Sequence, residues 1–191
     1  MRAVDIQKVQ RVKKACIDIV YEIGLEGISA GKLAKRAKVS SSSIYIYFEN
    51  MNDMFQVIND EITSEFFVFI SQNLNEDESI KANFENIWQS AYEYCSKFPK
   101  KFIFTRRMTH SCIVQQEKSK DLKPYYQKLN NFIESAVANG AIREMAMVDF
   151  VYIALTPLYG IMKSNIENGI LDLQPNDIEL YRAASWKAIE K

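Results

Sequence analysis

The stretch Ser29–Met54, SAGKLAKRAKVSSSSIYIYFENMNDM, decides how this chain folds. Ser29 is placed to cap a short helix that carries Leu33, Ala34 and Ala37 on one face. Ala37-Lys38-Val39-Ser40 reads as a four-residue turn, and Ser40 is placed to cap a second helix running through Tyr47. Two short helices joined by such a turn make a helix-turn-helix. Ile44 and Phe48 sit one turn apart and are expected to face inward, while Ser41, Ser42, Ser43, Tyr45 and Tyr47 are presented by the same helix. Short hydroxyl side chains at a helix N-terminus allow close approach to base edges. Hydroxyls and free amides together suit phosphate oxygens.

Outward from this stretch, Val9, Val12, Cys16, Ile19, Val20 and Ile23 recur at helical spacing, and Gly24 is a natural stop. That first helix would pack across the other two and complete a three-helix head. A longer helix is expected from Asn50 to about Asn73, with Met54, Phe55, Ile58, Ile62, Phe66, Phe69 and Ile70 as its stripe. It starts in the head and leaves it, so it is suited to couple the head to the rest of the chain.

The motif resembles that of the TetR/AcrR family of transcriptional regulators. The family pattern is a Thr or Ser, three residues, a hydrophobic-Ala pair, Ala-Gly-Val-Ser, a Gly, and Tyr-x-x-Phe. Here these places are held by Ser29, Leu33-Ala34, Ala37-Lys38-Val39-Ser40, Ser42 and Tyr45-Ile46-Tyr47-Phe48. Three residues depart from it: Lys38 and Ser42 stand where glycines are usual, and Met51 stands where relatives carry a lysine that meets a phosphate. The resemblance covers roughly the first quarter of the chain. It implies an all-α fold in which a DNA-binding head, residues 1–53, is joined by a long helix to a larger ligand-binding and dimerisation body, residues 54–191.

Composition agrees. The 191 residues are 48% hydrophobic and 25% charged, the profile of a globular chain and not of a disordered one. Net charge is zero overall but unevenly placed. Residues 1–48 hold nine Lys/Arg against four Asp/Glu, a net of +5, which leaves −5 for the remainder. A basic head on an acidic body is what phosphate binding at one end requires, although a merely solvated helix face would look the same. The N-terminus is polar and mixed in charge, so no signal peptide is read, and the longest nearly apolar run, Phe150–Met162, is too short to span a bilayer. The chain is expected in the cytoplasm, with no membrane partner. Cys16, Cys95 and Cys112 share no metal-like spacing and are expected as reduced thiols, the first two in the core. Cys112 is a candidate for redox sensing. His110, the sole histidine, finds no second ligand for a metal, and no cofactor is expected.

The body reads as further helices. Ile80 to Phe98 forms a stripe ended by Pro99, where another helix begins that holds Phe102, Ile103, Met108 and Cys112. The charged stretch Gln115–Lys123 is a break, and Leu122 to Val137 carries the next helix to the stop Asn139-Gly140. Residues 150–168 are apolar on most sides, which predicts burial on more than one face. Asn176 with Glu179 suggests a capping-box start for the last helix. The helices at 149–168 and 176–190 are therefore expected to form a four-helix interface with a second copy, as the resemblance also implies. A monomer with a larger core is the alternative. Pro157 is expected to kink the first of these helices.

Trp88, Tyr92, Phe102, Met108, Phe132, Tyr152 and Tyr159 are candidates to line a cavity for a small organic ligand, some of them as packed core instead. Neither HExxH nor a Walker loop nor GxGxxG occurs, and Glu76 and Glu78 lie in a polar break, so no enzyme is expected. The residues expected to meet DNA are Ser42, Ser43 and Tyr45 as base readers, Ser29, Ser40 and Tyr47 as phosphate anchors, Lys32 and Lys35 as longer-range attraction, and Ser41 beside them. The expected function is a ligand-responsive regulator, a repressor that binds a pseudo-palindromic DNA operator as a homodimer. The rival is a helical ligand-binding or adaptor protein whose head binds another protein.

Overall fold

The computed structural model describes residues 5–109, 111, 123–170 and 173–191. The expectations placed on His110, Cys112 and residues 115–122 of the break expected at 115–123 lie outside these residues, while Lys123 is the first residue of a helix. Among the described residues there are nine α-helices and no strand: α1 (Ile6–Ile23), α2 (Ala30–Ala37), α3 (Ser41–Tyr47), α4 (Met51–Ser71), α5 (Ile80–Lys97), α6 (Pro99–Thr109), α7 (Lys123–Ala138), α8 (Met147–Glu167) and α9 (Pro175–Ile189). Among the same residues, no helix is long and apolar enough to cross a membrane, and no group of acidic, histidine or cysteine side chains is arranged to hold a metal.

The chain forms two compact units. The first takes its described residues from 1–63 and 100–120, the second from 64–99 and 121–191. The helix α4 contributes to both, changing unit between Thr63 and Ser64.

The first unit is the head. Val12, Cys16, Ile19 and Val20 of α1 pack with Leu33, Ala34 and Ala37 of α2, Ile44 and Phe48, and Met54, Phe55, Ile58 and Ile62 of α4. Phe104 and Met108 of α6 complete this core, Phe104 meeting Phe55 edge-on at 6.5 Å. The helix α6 is also bonded to α1. Lys100 pairs with Asp18, and Arg107 donates to the carbonyls of Val20 and Tyr21, which lie in the last turn of α1. The sequence-based boundary at 53/54 puts α6 with the body; the packing of Phe104 and Met108 groups it with the head.

The second unit contains α5, α7, α8, α9 and the end of α4. Its centre is aromatic: Phe84 meets Trp186 at 5.1 Å and Phe150 at 6.4 Å, and Phe132 meets Phe150 at 6.3 Å. Trp88 is fully buried and its indole N–H donates to Ser185 Oγ at 3.3 Å. The helix α8 runs through Pro157 without interruption and buries Phe150, Ala154, Leu155, Leu158 and Met162. One expectation is corrected. The last helix starts at Pro175 with Gln174 before it and no side-chain cap, and Glu179 pairs with Arg182. Proline at the first helical position has no N–H to leave unsatisfied and its fixed φ already suits a helix, so the helix starts at Pro175, ahead of Asn176.

Candidate functional site

Each helix of the helix-turn-helix is capped at its start by a serine side chain. Ser29 Oγ accepts the Lys32 amide at 3.3 Å and Ser40 Oγ accepts the Ser43 amide at 3.2 Å, so both serines are the caps expected of them. Between them Lys38 adopts φ 55 and ψ 50, a left-handed conformation that only this non-glycine residue takes among those described. The turn closes by the Lys38 amide bonding to the Lys35 carbonyl at 3.4 Å and the Val39 amide to the Ala34 carbonyl at 3.0 Å. Arg11 of α1 adds a bond from Nε to the Ala37 carbonyl at 3.3 Å. Upstream, Gly27 lies so close to α1 that a Cβ on it would sit 2.6 Å from the Ile23 carbonyl oxygen.

With Ile44 and Phe48 in the core, α3 turns a defined face outward. Ser41 and Ser42 are exposed, Tyr45 is 51% exposed and Ile46 is 67% exposed. Ser42 and Ile46 are one turn apart, as are Ser41 and Tyr45, so these four share the surface opposite Ile44. Ser43 and Tyr47 are half-buried, and Tyr47 packs against the head core. Ser40 gathers the hydroxyls of Ser42 and Ser43 at 3.0 and 2.6 Å. Ser29, Lys32, Lys35 and Ser40 are exposed on the same unit, and the Lys32 ammonium donates to the Gly27 carbonyl at 2.8 Å. Ile46 is absent from the sequence-based set, which holds only serine, tyrosine and lysine side chains. Counting one turn on from Ser42 finds it.

Two cations of the head are committed elsewhere. Arg36 pairs with Glu22, and Lys13 pairs with Glu61. Met51, in the place of the usual lysine, packs against the head core. The start of α4 is instead closed by Asn50 Oδ1, which accepts the Asp53 amide at 2.9 Å, and by Asp53 Oδ2, which accepts the Glu49 amide at 2.9 Å.

The seven ligand candidates are dispersed. Met108 is in the head core, and buried Phe102 lies under the Arg106 guanidinium at 6.0 Å in the same unit. In the body Trp88 is bonded to Ser185, and the Tyr92 hydroxyl accepts the Leu173 amide at 3.2 Å. Tyr159 is buried and meets Phe66, while Tyr152 is exposed. Phe132 lines a cavity of about 300 Å³ between the α4–α5 connection and α7, together with Leu74, Ile80, Asn83 and Lys128. Glu76 and Glu78 stand at the same cavity, and Glu78 Oε2 accepts the Asn86 side-chain amide at 2.8 Å.

Comparison with known proteins agrees with this architecture. Residues 15–58 match the family described as bacterial regulatory proteins, tetR family, and residues 55–191 match the tetracyclin repressor-like C-terminal domain. An uncharacterized HTH-type transcriptional regulator of Haemophilus influenzae is 21% identical over the full length of both chains. A TetR family transcription regulator from Marinobacter aquaeolei superposes over all of both chains with a TM-score of 0.83 at 19% identity. The transcriptional regulator FadR of Bacillus subtilis, solved in complex with stearoyl-CoA, has a TM-score of 0.65 at 15% identity, covering 92% of this chain and 95% of its own. At these identities the structures establish the fold alone. The two family matches together span residues 15–191, and the chain belongs to the TetR family of transcriptional regulators.

Proposed function

We propose that this protein is a repressor that binds a pseudo-palindromic operator as a homodimer and is released by a small molecule. The observation that carries the reading is the outward face of α3. A pair of serines, a tyrosine and an isoleucine stand clear of the core on a head whose first 48 residues carry a net charge of +5. Ser42, Tyr45 and Ile46 meet base edges in the major groove. Ser29, Ser40 and the free amides at the start of α3 take phosphates, and Lys35 and Lys32 add attraction. Ser43 and Tyr47, being half-buried, contribute at the margin of this face.

One such head contacts few bases. A twofold dimer doubles the contacts at half-sites about 34–36 Å apart. The dimer forms through α8 and α9. Val148, Tyr152 and Ile153 of α8 and Leu180 of α9 are exposed apolar residues that a second copy would cover. A ligand in the body acts on α4, which belongs to both units, and lowers DNA affinity by favouring a dimer whose heads no longer match the operator. Coupling of about 1–3 kcal/mol, or 5–150-fold, is typical for such control.

The test is fluorescence anisotropy with DNA from upstream of the protein's own gene against scrambled DNA, over a salt series. Saturable, sequence-selective binding of one dimer per site supports the reading. Equal, weak binding to both DNAs that modest salt abolishes overturns it.

A further inference from the structure

In the body, three aromatic rings converge on Tyr94 of α5. Phe66 and Phe69 of α4 approach it edge-on with centroids at 5.3 and 5.5 Å, and Phe98, just past the end of α5, lies at 5.0 Å. Phe66 in turn meets Tyr159 of α8 at 6.2 Å. Tyr94 is 1% exposed, and its hydroxyl is sealed from solvent with no hydrogen-bond partner among the described residues. The three phenylalanines around it are only half-buried.

This inverts the usual arrangement of a core. Packed interiors seal their rings and pair their polar atoms, because an orphaned buried hydroxyl forfeits the hydrogen bonds it made to water. Here the rings keep solvent-accessible surface and the hydroxyl is the orphan. Trp88 and Tyr92, on the same helix, show the ordinary solution: both are buried and both are hydrogen-bonded.

We propose that Tyr94, Phe66, Phe69 and Phe98 form a binding site for a neutral, largely apolar small molecule with a single hydrogen-bond acceptor, which takes the Tyr94 hydroxyl. The rings supply apolar surface and edge contacts, and the hydroxyl fixes orientation. The phenol can only donate usefully: burial, and then the carboxylate of Glu65, hold it protonated well above the ordinary tyrosine range. The same carboxylate disfavours an anionic ligand head beside the hydroxyl. A carbonyl or ether oxygen on an apolar frame meets both requirements. This inference rests on the reading that the body receives a small molecule, and it names the site and the ligand class.

The probe is 6-propionyl-2-dimethylaminonaphthalene, a neutral aromatic with one ketone whose emission moves to the red when that ketone accepts a hydrogen bond. It is titrated into the full-length protein and into Tyr94→Phe, which keeps the ring and removes only the hydroxyl. The expected result is saturable binding to the wild type, about tenfold weaker binding to Tyr94→Phe, and a blue shift of the bound emission in the variant. Absence of saturable binding, or equal affinity and emission in both proteins, overturns the site. So does a higher melting temperature of Tyr94→Phe with probe binding unchanged, which would mark the hydroxyl as a packing defect alone. Operator binding on the same samples separates the two readings. A probe held by Tyr94 that leaves DNA affinity unchanged supports the site and sinks the regulatory reading. Release of DNA by other small molecules, with the probe indifferent to Tyr94, does the reverse.

Discussion

Arg36 grips Glu22 with both arms of its guanidinium, Nη1 to Oε1 at 3.0 Å and Nη2 to Oε2 at 2.7 Å, and so ties α2 to the end of α1. The hydrogen bonds from Arg36 hold the Glu22 carboxyl below its usual value of 4.5, and the partner raises Arg36 in turn. A carboxylate depressed in the folded state contributes stability that is present above its unfolded pKa and lost as pH falls through its folded one. Glu22→Gln is therefore expected to melt below the wild type at neutral pH. The difference should shrink as the pH drops from about 4.5 and vanish once Glu22 is protonated in both states. The pair is solvent-exposed, so the effect is small and weakens with salt. Thermal unfolding over a pH series checks it, and a difference that persists in acid would place the loss in packing and not in charge.

Lys38 pays for the turn with a left-handed backbone, at φ 55. That conformation costs an L-residue about 1–2 kcal/mol, whereas glycine adopts it without strain but loses more chain entropy on folding, roughly 0.5–1 kcal/mol. Lys38→Gly should stabilise the head by up to about 1 kcal/mol, read from urea unfolding. No gain, or a loss, would mean that the Lys38 side chain contributes contacts of its own that offset the strain.

The helix-turn-helix was legible in the sequence because its signals are local. Two serine caps, a turn and the spacing of Leu33, Ala34, Ala37, Ile44 and Phe48 each depend on neighbours within a few residues, and each stands as expected. The order of helices was legible for the same reason. What was not legible depends on distant partners. Nothing near Met108 in sequence says that it shares a core with Cys16 and Phe55 instead of meeting a ligand, and nothing near Trp88 announces Ser185, 97 residues away. Tyr94 escaped notice because an unpaired hydroxyl is a property of its surroundings, invisible in a stripe of apolar residues.

Cys16 and Cys95 are both fully buried, and burial pushes the Cys16 thiol up to about 12. The thiolate is the reactive form, so Cys16 has almost none at neutral pH. A Cys112→Ser variant should show no reaction with a disulfide reagent when folded and release two equivalents of thiol on unfolding, Cys16 and Cys95 being the two that remain. Rapid native reactivity would show that the fold opens locally around one of these helices.

Tyr152 of α8 is 57% exposed and Leu180 of α9 is 64% exposed, although both belong to helices that also bury apolar residues. Charge placed on this surface should split a dimer formed through it, because an unpaired charge cannot be desolvated cheaply at an interface. Tyr152→Arg is expected to shift sedimentation toward the monomer and to weaken operator binding while leaving the helical signal unchanged. A dimer of undiminished stability would move the interface off α8.

Ile46 stands 67% exposed on the face it shares with Ser42 and Tyr45. It has no polar atom to offer, so its one way of distinguishing bases in the major groove is apolar contact with the C5 methyl of thymine. The contact can be tested from both sides. Deoxyuridine pairs like thymidine but lacks the methyl group, and burial of one methyl or methylene is worth about 0.8 kcal/mol, or roughly fourfold. Once an operator is in hand, replacing each thymine in turn by deoxyuridine should reveal a position that costs the wild type about fourfold per half-site. Ile46→Ala should bind the thymine operator more weakly and be indifferent to that replacement. The two losses would then fail to add, which is the signature of a direct contact. Additive losses would mean that the isoleucine and the methyl do not touch, and would return the reading of the operator to Ser42 and Tyr45 alone.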